Sequence, residues 1–168
     1  MDFTALTKFL NEANKHSYAN KDAKKAPSSR PGSEDYHFEK DGLAYHDTYF
    51  GSEAFIGEEI VYENNEPVWG MNYFGFIVSA LANEKDVYDF LRTTLMQEYD
   101  NVIPVRGPKE YAKGEWRYVN TPKGNLEHFV GVEEIYRGNE NLVYRAEYHG
   151  GLIGRPDYGS VNEPRAVF

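Results

Sequence analysis

Two glutamates, Glu58 and Glu134, each lie in a stretch of the chain that is rich in aromatic residues. The first stretch, residues 55–75, reads FIGEEIVYENNEPVWGMNYFG, and the second, residues 129–150, reads FVGVEEIYRGNENLVYRAEYHG. A carboxylate among rings loses hydration unless it is paired, hydrogen-bonded or protonated. It therefore favours a cationic or hydrogen-bond-donating organic ligand, through charge pairing and cation–π contact. The structural alternative is that tyrosine hydroxyls, Arg117 or Arg137 satisfy both carboxylates.

The position of these glutamates depends on how each stretch folds into a hairpin. A two-residue turn at Asn64–Asn65 predicts that Val61 faces Val68 and that Glu58 faces Met71. The second hairpin needs one more loop residue for the same alignment. The ligand-binding residues predicted on the resulting aromatic face are Glu58, Tyr62, Trp69, Met71, Tyr73, Glu134, Tyr144 and Tyr148. A slip of one residue would exchange the two faces.

The opposite face carries a repeated Phe-Gly-x-Glu pattern that includes Gly57 and Glu59 in one stretch and Gly131 and Glu133 in the other. Glycine inside a strand indicates close approach of another group or a bulge. The pattern is consistent with a face covered by helices. It is also consistent with a second carboxylate pair that performs acid–base chemistry.

The elements that would position these residues recur in the same order in both halves of the chain. Apolar residues at helical spacing predict helices over Phe3 to about Ala19 and Glu84 to about Gln97, and each helix precedes strand-like segments. We therefore predict an α+β fold of two tandem αβββ repeats, about 3–77 and 84–153, within one domain of residues 1–168. The repeats would form a mainly antiparallel sheet with both helices on one face. The tail, 155–168, reads as irregular.

Composition limits the classes of function. The formal net charge of −9 argues against direct binding of nucleic acid, and the absence of cysteine excludes thiol catalysis and cysteine-based zinc sites. The N-terminus lacks the pattern of a signal peptide and no apolar run reaches the length of a membrane span, so a cytoplasmic location without membrane contact is expected. The five histidines lack metal-binding spacing and no cofactor fingerprint occurs, so we expect neither metal nor cofactor.

Four segments carry a resemblance to a known family: SSRPGSEDYHFE, DTYFGSEAFIGEEIVYENNEPVWGMNYFG, RGPKEYAKGEWRY and YRAEYHGGLI. Together they resemble a bacterial domain family of unknown function, found alone or behind XRE-type helix-turn-helix modules. That resemblance implies a sensing role for a small molecule. At the level of fold, the tandem units look like gyrase-inhibitor-like effector-binding domains, which bind organic ligands in a cleft between repeats.

These observations predict a small-molecule, effector-like binding module with an aromatic and acidic cleft. An alternative is a small-molecule hydrolase or another acid–base enzyme that uses Glu58 or Glu134 in the same cleft. Another alternative is an interaction protein that buries the aromatic face in a homodimer.

Overall fold

The computed structural model describes residues 3–79, 82–97 and 106–154. Helix α1 (Phe3–His16) precedes four strands, which are β1 (Glu34–Lys40), β2 (Leu43–Gly51), β3 (Ala54–Glu63) and β4 (Glu66–Ile77). Helix α2 (Glu84–Leu95) precedes four more, which are β5 (Glu110–Lys113), β6 (Trp116–Asn125), β7 (His128–Arg137) and β8 (Asn141–Leu152). The predicted tail, 155–168, lies outside the described residues.

All eight strands belong to one sheet in the order β1-β2-β3-β4-β8-β7-β6-β5, and each neighbouring pair is antiparallel. The predicted α+β class, antiparallel sheet and two helices are confirmed. Four strands follow each helix, whereas the sequence pattern predicted three. The additional strands, β1 and β5, are the edges of the sheet, and they consist mostly of polar residues, so they lack a strong strand pattern.

Both helices form because their apolar residues recur on one side. In α1 the buried side chains are Leu6, Phe9, Leu10 and Ala13, at the spacing of a helical stripe. Helix α2 begins after Asn83, whose side chain accepts a hydrogen bond from the backbone N–H of Asp86. Its apolar stripe includes Val87, Phe90 and Leu91.

The turns of the two long hairpins agree with the sequence prediction. Asn64 and Asn65 have φ values of 52° and 65° and connect the paired residues Glu63 and Glu66. These positive φ angles suit a two-residue hairpin turn, and asparagine tolerates them. The β7–β8 hairpin has the predicted extra loop residue, because Arg137 pairs with Asn141.

The predicted register beyond these turns is wrong, because each hairpin contains a bulge. Val61 pairs with Trp69 instead of Val68, and Glu59, rather than Glu58, pairs with Met71. An irregularity between Val61 and Tyr62 leaves one extra residue in β4. A single extra residue exchanges the faces of the strand beyond it.

The second hairpin repeats this irregularity. Tyr136 pairs with Leu142, but Ile135 pairs with Tyr144, so that Val143 is the extra residue in β8. Tyr144 and Tyr148 therefore share a face with Glu133, and not with Glu134 as the sequence pattern predicted. We call the face that carries Glu59 and Glu133 the inner face, and the face that carries Glu58 and Glu134 the outer face.

The apolar core lies on the inner face of the sheet in two clusters. One cluster joins Leu6, Phe9 and Leu10 of α1 to Tyr45, Trp69 and Phe129 among others. The other joins Val87, Phe90 and Leu91 of α2 to Tyr118, Ile135 and Tyr144 among others. In the described part of the chain, no helix has the length and apolar character needed to cross a membrane.

Candidate functional site

A cavity of about 180 Å³ lies on the inner face of the sheet, between the two helices and strands β2–β4. Its wall combines aromatic rings with charged groups. The aromatic lining residues are Tyr18, Tyr45, Tyr49, Phe55, Tyr73 and Tyr88. The charged lining residues are Glu34, Asp47, Glu59, Glu84, Arg92 and Arg106. An apolar wall with a few charged groups is typical of sites for small organic molecules.

Two carboxylates of the wall are buried neighbours on adjacent strands. Asp47 of β2 pairs directly with Glu59 of β3, and the two residues are 3% and 7% exposed. Tyr73 donates a hydrogen bond to Oδ1 of Asp47 at 2.6 Å, and the buried Tyr45 lies on the same strand as Asp47, beside Glu59. Directly opposed residues have Cβ atoms about 5 Å apart, so the two carboxylates repel one another when both are charged.

Arg106 supplies a positive charge beside this pair. Its Nη2 donates to Oε1 of Glu133 at 2.5 Å, whereas its Nη1 lies 3.8 Å from Oε1 of Glu59. The guanidinium also lies 5.0 Å from the centre of the Tyr73 ring. Asp47, Glu59 and Glu133 are the acidic neighbours of this guanidinium. Acidic groups therefore outnumber basic groups on the Asp47 side of the cavity.

Burial shifts the ionisation of both cavity carboxylates. Loss of hydration raises the pKa of Asp47 to about 6, against the opposing effects of the Tyr73 hydrogen bond and the Arg106 charge. Burial, followed by the charge of Asp47, raises the pKa of Glu59 to about 8. Although burial opposes it, the charge of Glu133 holds the pKa of Arg106 well above its usual value. The pair therefore carries one proton around neutral pH, mainly on Glu59.

Glycine makes room for the tyrosine that holds Asp47. A Cβ atom at Gly57 would lie 2.4 Å from Cζ of Tyr73, so the ring of Tyr73 packs over the space that glycine leaves. The ring then reaches across β3 to Asp47 on β2. Gly57 thus contributes to the site because it has no side chain that would displace the Tyr73 ring.

A counterpart arrangement occurs in the second half of the chain. Asn120 of β6 pairs with Glu133 of β7, as Asp47 pairs with Glu59. Tyr148 packs over Gly131 and donates to Oδ1 of Asn120 at 2.6 Å, and Tyr118 donates to Glu133 at 2.8 Å. The two arrangements differ at two points: an amide in the second half replaces the carboxylate of Asp47, and Arg106 donates to Glu133 at 2.5 Å but lies 3.8 Å from Glu59.

The structure places the two glutamates of the sequence prediction on the outer face, away from the cavity. Glu58 forms an ion pair with Arg30 at 2.7 Å, and its side chain is 40% exposed. Glu134 lies 2.6 Å from Nη1 of Arg145 and accepts a hydrogen bond from Tyr136. The prediction that these two acids face the buried tyrosine and tryptophan rings is wrong, because the bulges move those rings to the inner face.

The six predicted aromatic and methionine residues separate into three groups. Tyr73 lines the cavity, and Tyr62 lies on the outer face beside His46. Trp69 and Met71 are fully buried core residues of the first cluster. Tyr144 donates to Glu133 at 2.6 Å and Tyr148 donates to Asn120, so both belong to the counterpart arrangement.

Sequence reasoning missed Tyr18 and Tyr45 as site residues. The alternative interpretation of the Phe-Gly-x-Glu pattern did single out Glu59 and Glu133, and the glycines in that pattern were the usable signal. Arg106 follows residues 98–105, which lie outside the described part of the chain. Its hydrogen-bond partner, Glu133, is 27 positions away in the sequence. Among the described residues, no group of three or more histidine or acidic residues is placed to hold a metal ion.

These features define a class: an α+β domain in which one antiparallel sheet and two helices enclose a small aromatic and acidic cavity. The model of a family described as a domain of unknown function (DUF5680) matches residues 47–153, which is more than half of the chain, and the chain belongs to that family. No curated protein and no solved structure matches the chain. The matched segment begins at Asp47, so the cavity residues that follow α1, such as Tyr18, lie before it.

Proposed function

We propose that the protein is a small-molecule-binding module whose ligand occupies the cavity between the helices and β2–β4. The observation that carries the proposal is a cavity of about 180 Å³ whose wall holds buried carboxylates among tyrosine rings. Protein interiors are close-packed, and burying a carboxylate without full pairing lowers stability. A ligand that fills the space and pairs with the carboxylates would offset both costs.

The size of the cavity limits the ligand to a compact molecule. An apolar cavity of about 150 Å³ accommodates benzene, so this space accommodates a single ring with a short substituent. Phe55 and Tyr88 both line the cavity and meet edge to face with ring centres 6.2 Å apart. This aromatic wall favours a flat, apolar ligand body.

A fragment screen followed by a cavity-blocking variant tests the proposal. Ala19 lines the cavity and is 4% exposed, so Ala19→Leu would occupy ligand space. Ala82→Leu is the matched control, because Ala82 packs against the second cluster without lining the cavity. We expect fragments that raise the melting temperature of the wild type and of Ala82→Leu but not of Ala19→Leu. A screen in which every hit also stabilises Ala19→Leu would refute binding in the cavity.

Acid–base catalysis at the same cavity is the second proposal. The specific observation is that Asp47 and Glu59 are adjacent carboxyls with pKa values of about 6 and about 8. Near neutral pH Glu59 would donate a proton while Asp47 accepts one, which is the division of roles that general acid–base catalysis requires. Turnover of a bound fragment by the wild type that is abolished in Glu59→Gln would support this role. Turnover that survives in Glu59→Gln would exclude it.

A homodimer is the third proposal, and it involves the outer face. The aromatic side chains first assigned to a dimer interface, such as Trp69 and Tyr144, are core residues of the single chain. The outer face exposes Ile56, Phe74 and Val130 at 56%, 48% and 43%. Sedimentation of the wild type as a dimer that Phe74→Asp converts to a monomer would support this association. A monomer at all concentrations would exclude it.

We also propose that the chain arose by duplication and that both helices cover the inner face. Support comes from the strand order, which is symmetric about the β4–β8 pair, and from the counterpart arrangements of Gly57 with Tyr73 and Gly131 with Tyr148. The resemblance to domains that follow XRE-type helix-turn-helix modules supports a bacterial, cytoplasmic and regulatory setting. In that setting the bound molecule would act as an effector.

A further inference from the structure

This inference rests on the proposed ligand-binding role and concerns the chemical class of the ligand. We propose that the cavity takes a small organic monocation, in which an ammonium group pairs with Asp47 and a ring-sized apolar body lies against the tyrosines. Four observations carry the proposal: the difference between the two halves of the chain, the distribution of charge in the wall, the incomplete pairing of Asp47, and the volume of the cavity.

At equivalent positions, the first half of the chain has the carboxylate of Asp47 and the second half has the neutral amide of Asn120. Tyr73 donates to Asp47 as Tyr148 donates to Asn120, and the two acceptors occupy equivalent positions beside Glu59 and Glu133. Asn120 therefore shows that an amide satisfies the tyrosine in this arrangement. The Nδ2 of Asn120 donates to the carbonyl oxygen of Gly107 at 3.2 Å, whereas the matching group in the first half is a carboxylate oxygen whose additional negative charge faces the cavity.

The charges around Asp47 leave a negative surplus. Four carboxyl groups and two guanidiniums line the cavity, but Glu34 is ion-paired with Lys25 and Glu59 holds its proton near neutral pH. Of the two guanidiniums, Arg106 is engaged by Glu133 at 2.5 Å, and Arg92 lies over the Tyr18 ring at 4.6 Å. Because Arg106 is paired with Glu133 and Arg92 lies near Asp89, the buried charge of Asp47 remains, and it attracts a cation and repels an anion.

Asp47 has one carboxylate oxygen available to a ligand. Within the described residues, the hydrogen bond to its side chain comes from Tyr73 and reaches Oδ1. The residue is 3% exposed to solvent but lines the cavity. A half-satisfied carboxylate in this environment gains a charge-assisted hydrogen bond when an ammonium group enters.

The volume specifies which probes to use. A cavity of about 180 Å³ suits a single ring with one short substituent, because about 150 Å³ is sufficient for benzene. Benzylamine, benzyl alcohol and benzoate share this size and differ in charge, which is positive, zero and negative. Isothermal titration calorimetry of the purified protein with each probe at pH 8 compares the three affinities directly.

We expect the wild type to bind benzylamine roughly tenfold to a hundredfold more tightly than benzyl alcohol, as a charge-assisted hydrogen bond contributes. Benzoate should bind most weakly. In Asp47→Asn the preference for benzylamine should disappear, while Tyr73 retains an acceptor. The matched control is Glu58→Gln, which removes one negative charge from the outer face of β3 and should keep the preference.

The outcomes separate this inference from the proposed function. Equal binding of benzylamine and benzyl alcohol by the wild type would overturn the cation inference and leave the binding role intact. A preference that persists in Asp47→Asn would overturn the role of Asp47, and the wild-type comparison of the probes stands even if that variant does not fold. Failure of all three probes would overturn the inference for ligands of this size, whereas the broader fragment screen decides the binding role independently.

Discussion

At the scale of single residues, burial controls the chemistry of Glu59. The carboxyl is enclosed by Tyr45 and Asp47 from β2, Glu133 from β7 and the guanidinium of Arg106. Removal from water disfavours the charged form, and the neighbouring Asp47 adds repulsion that Arg106 only partly offsets. Glu59 therefore links the stability of the fold to pH.

The stability of the protein should fall as pH rises toward 8. Between its ordinary pKa of 4.5 and its folded value of about 8, Glu59 holds a proton that the unfolded chain has released. The free energy of unfolding then decreases by up to about 1.4 kcal/mol for each pH unit in this window. Asp47 adds to the slope between 3.8 and about 6.

Urea denaturation of the wild type and of Glu59→Gln from pH 5 to pH 8 measures this effect. We expect the free energy of unfolding of the variant to depend less on pH, because the introduced amide is neutral in both the folded and the unfolded state. Parallel pH profiles for the two proteins would show that Glu59 is ionised in the folded state.

At the scale of elements, two bulges determine which side chains reach the cavity. Apolar spacing was sufficient to predict both helices, and paired asparagines were sufficient to predict the Asn64–Asn65 turn. The extra residues in β4 and β8, Val68 and Val143, have the same side-chain character as their strand neighbours, so alternation alone gives no signal of a bulge.

Because alternation gave no sign of the bulges, the sequence prediction assigned the wrong glutamate of each hairpin to the face that carries the buried rings. Glu58 and Glu134 were selected, whereas their sequence neighbours Glu59 and Glu133 are the buried carboxylates. The glycines two positions before Glu59 and Glu133 carried the better signal, because a glycine in a strand leaves space for a cross-strand ring. Long-range partners such as Arg106 with Glu133 depend on the pairing of whole strands and could not be derived from spacing.

Cysteine labelling tests the bulged register. The chain contains no cysteine, so a single introduced thiol reports the exposure of its own position. We expect Glu58→Cys to react rapidly with a thiol reagent under native conditions and Met71→Cys to be protected, because Met71 is 0% exposed. The register without a bulge places both positions on one face, and similar reaction rates for the two thiols would favour it. Complete labelling of both variants in urea is the control for reactivity.

At the scale of the whole molecule, the two halves of the chain share one core. The first cluster, which contains α1, also contains Leu126, Phe129 and Tyr148 from the second half. Trp69 stacks on Phe129 with ring centres 5.6 Å apart, and Arg106 lies near Glu59 as well as Glu133. Strands β4 and β8 join the halves through a long antiparallel ladder at the centre of the sheet.

Neither half should fold when it is produced alone. Residues 1–79 would expose Trp69 and an unpaired β4 edge, and residues 80–168 would expose Phe129 and an unpaired β8 edge. We expect each fragment to lack a cooperative thermal transition by circular dichroism, and the mixture to recover one. A fragment of residues 1–79 that melts cooperatively by itself would contradict the shared core.

The central claim is that Asp47 and the surrounding tyrosines receive a small cationic ligand. The most direct measurement is a crystal structure of the protein soaked with benzylamine. We expect density for the ring within the cavity, packed against the rings of Tyr88 and Phe55, with the nitrogen within hydrogen-bond distance of Oδ2 of Asp47. A cavity that remains without ligand while benzylamine binds elsewhere, or a ring whose nitrogen points away from Asp47, would contradict the claim.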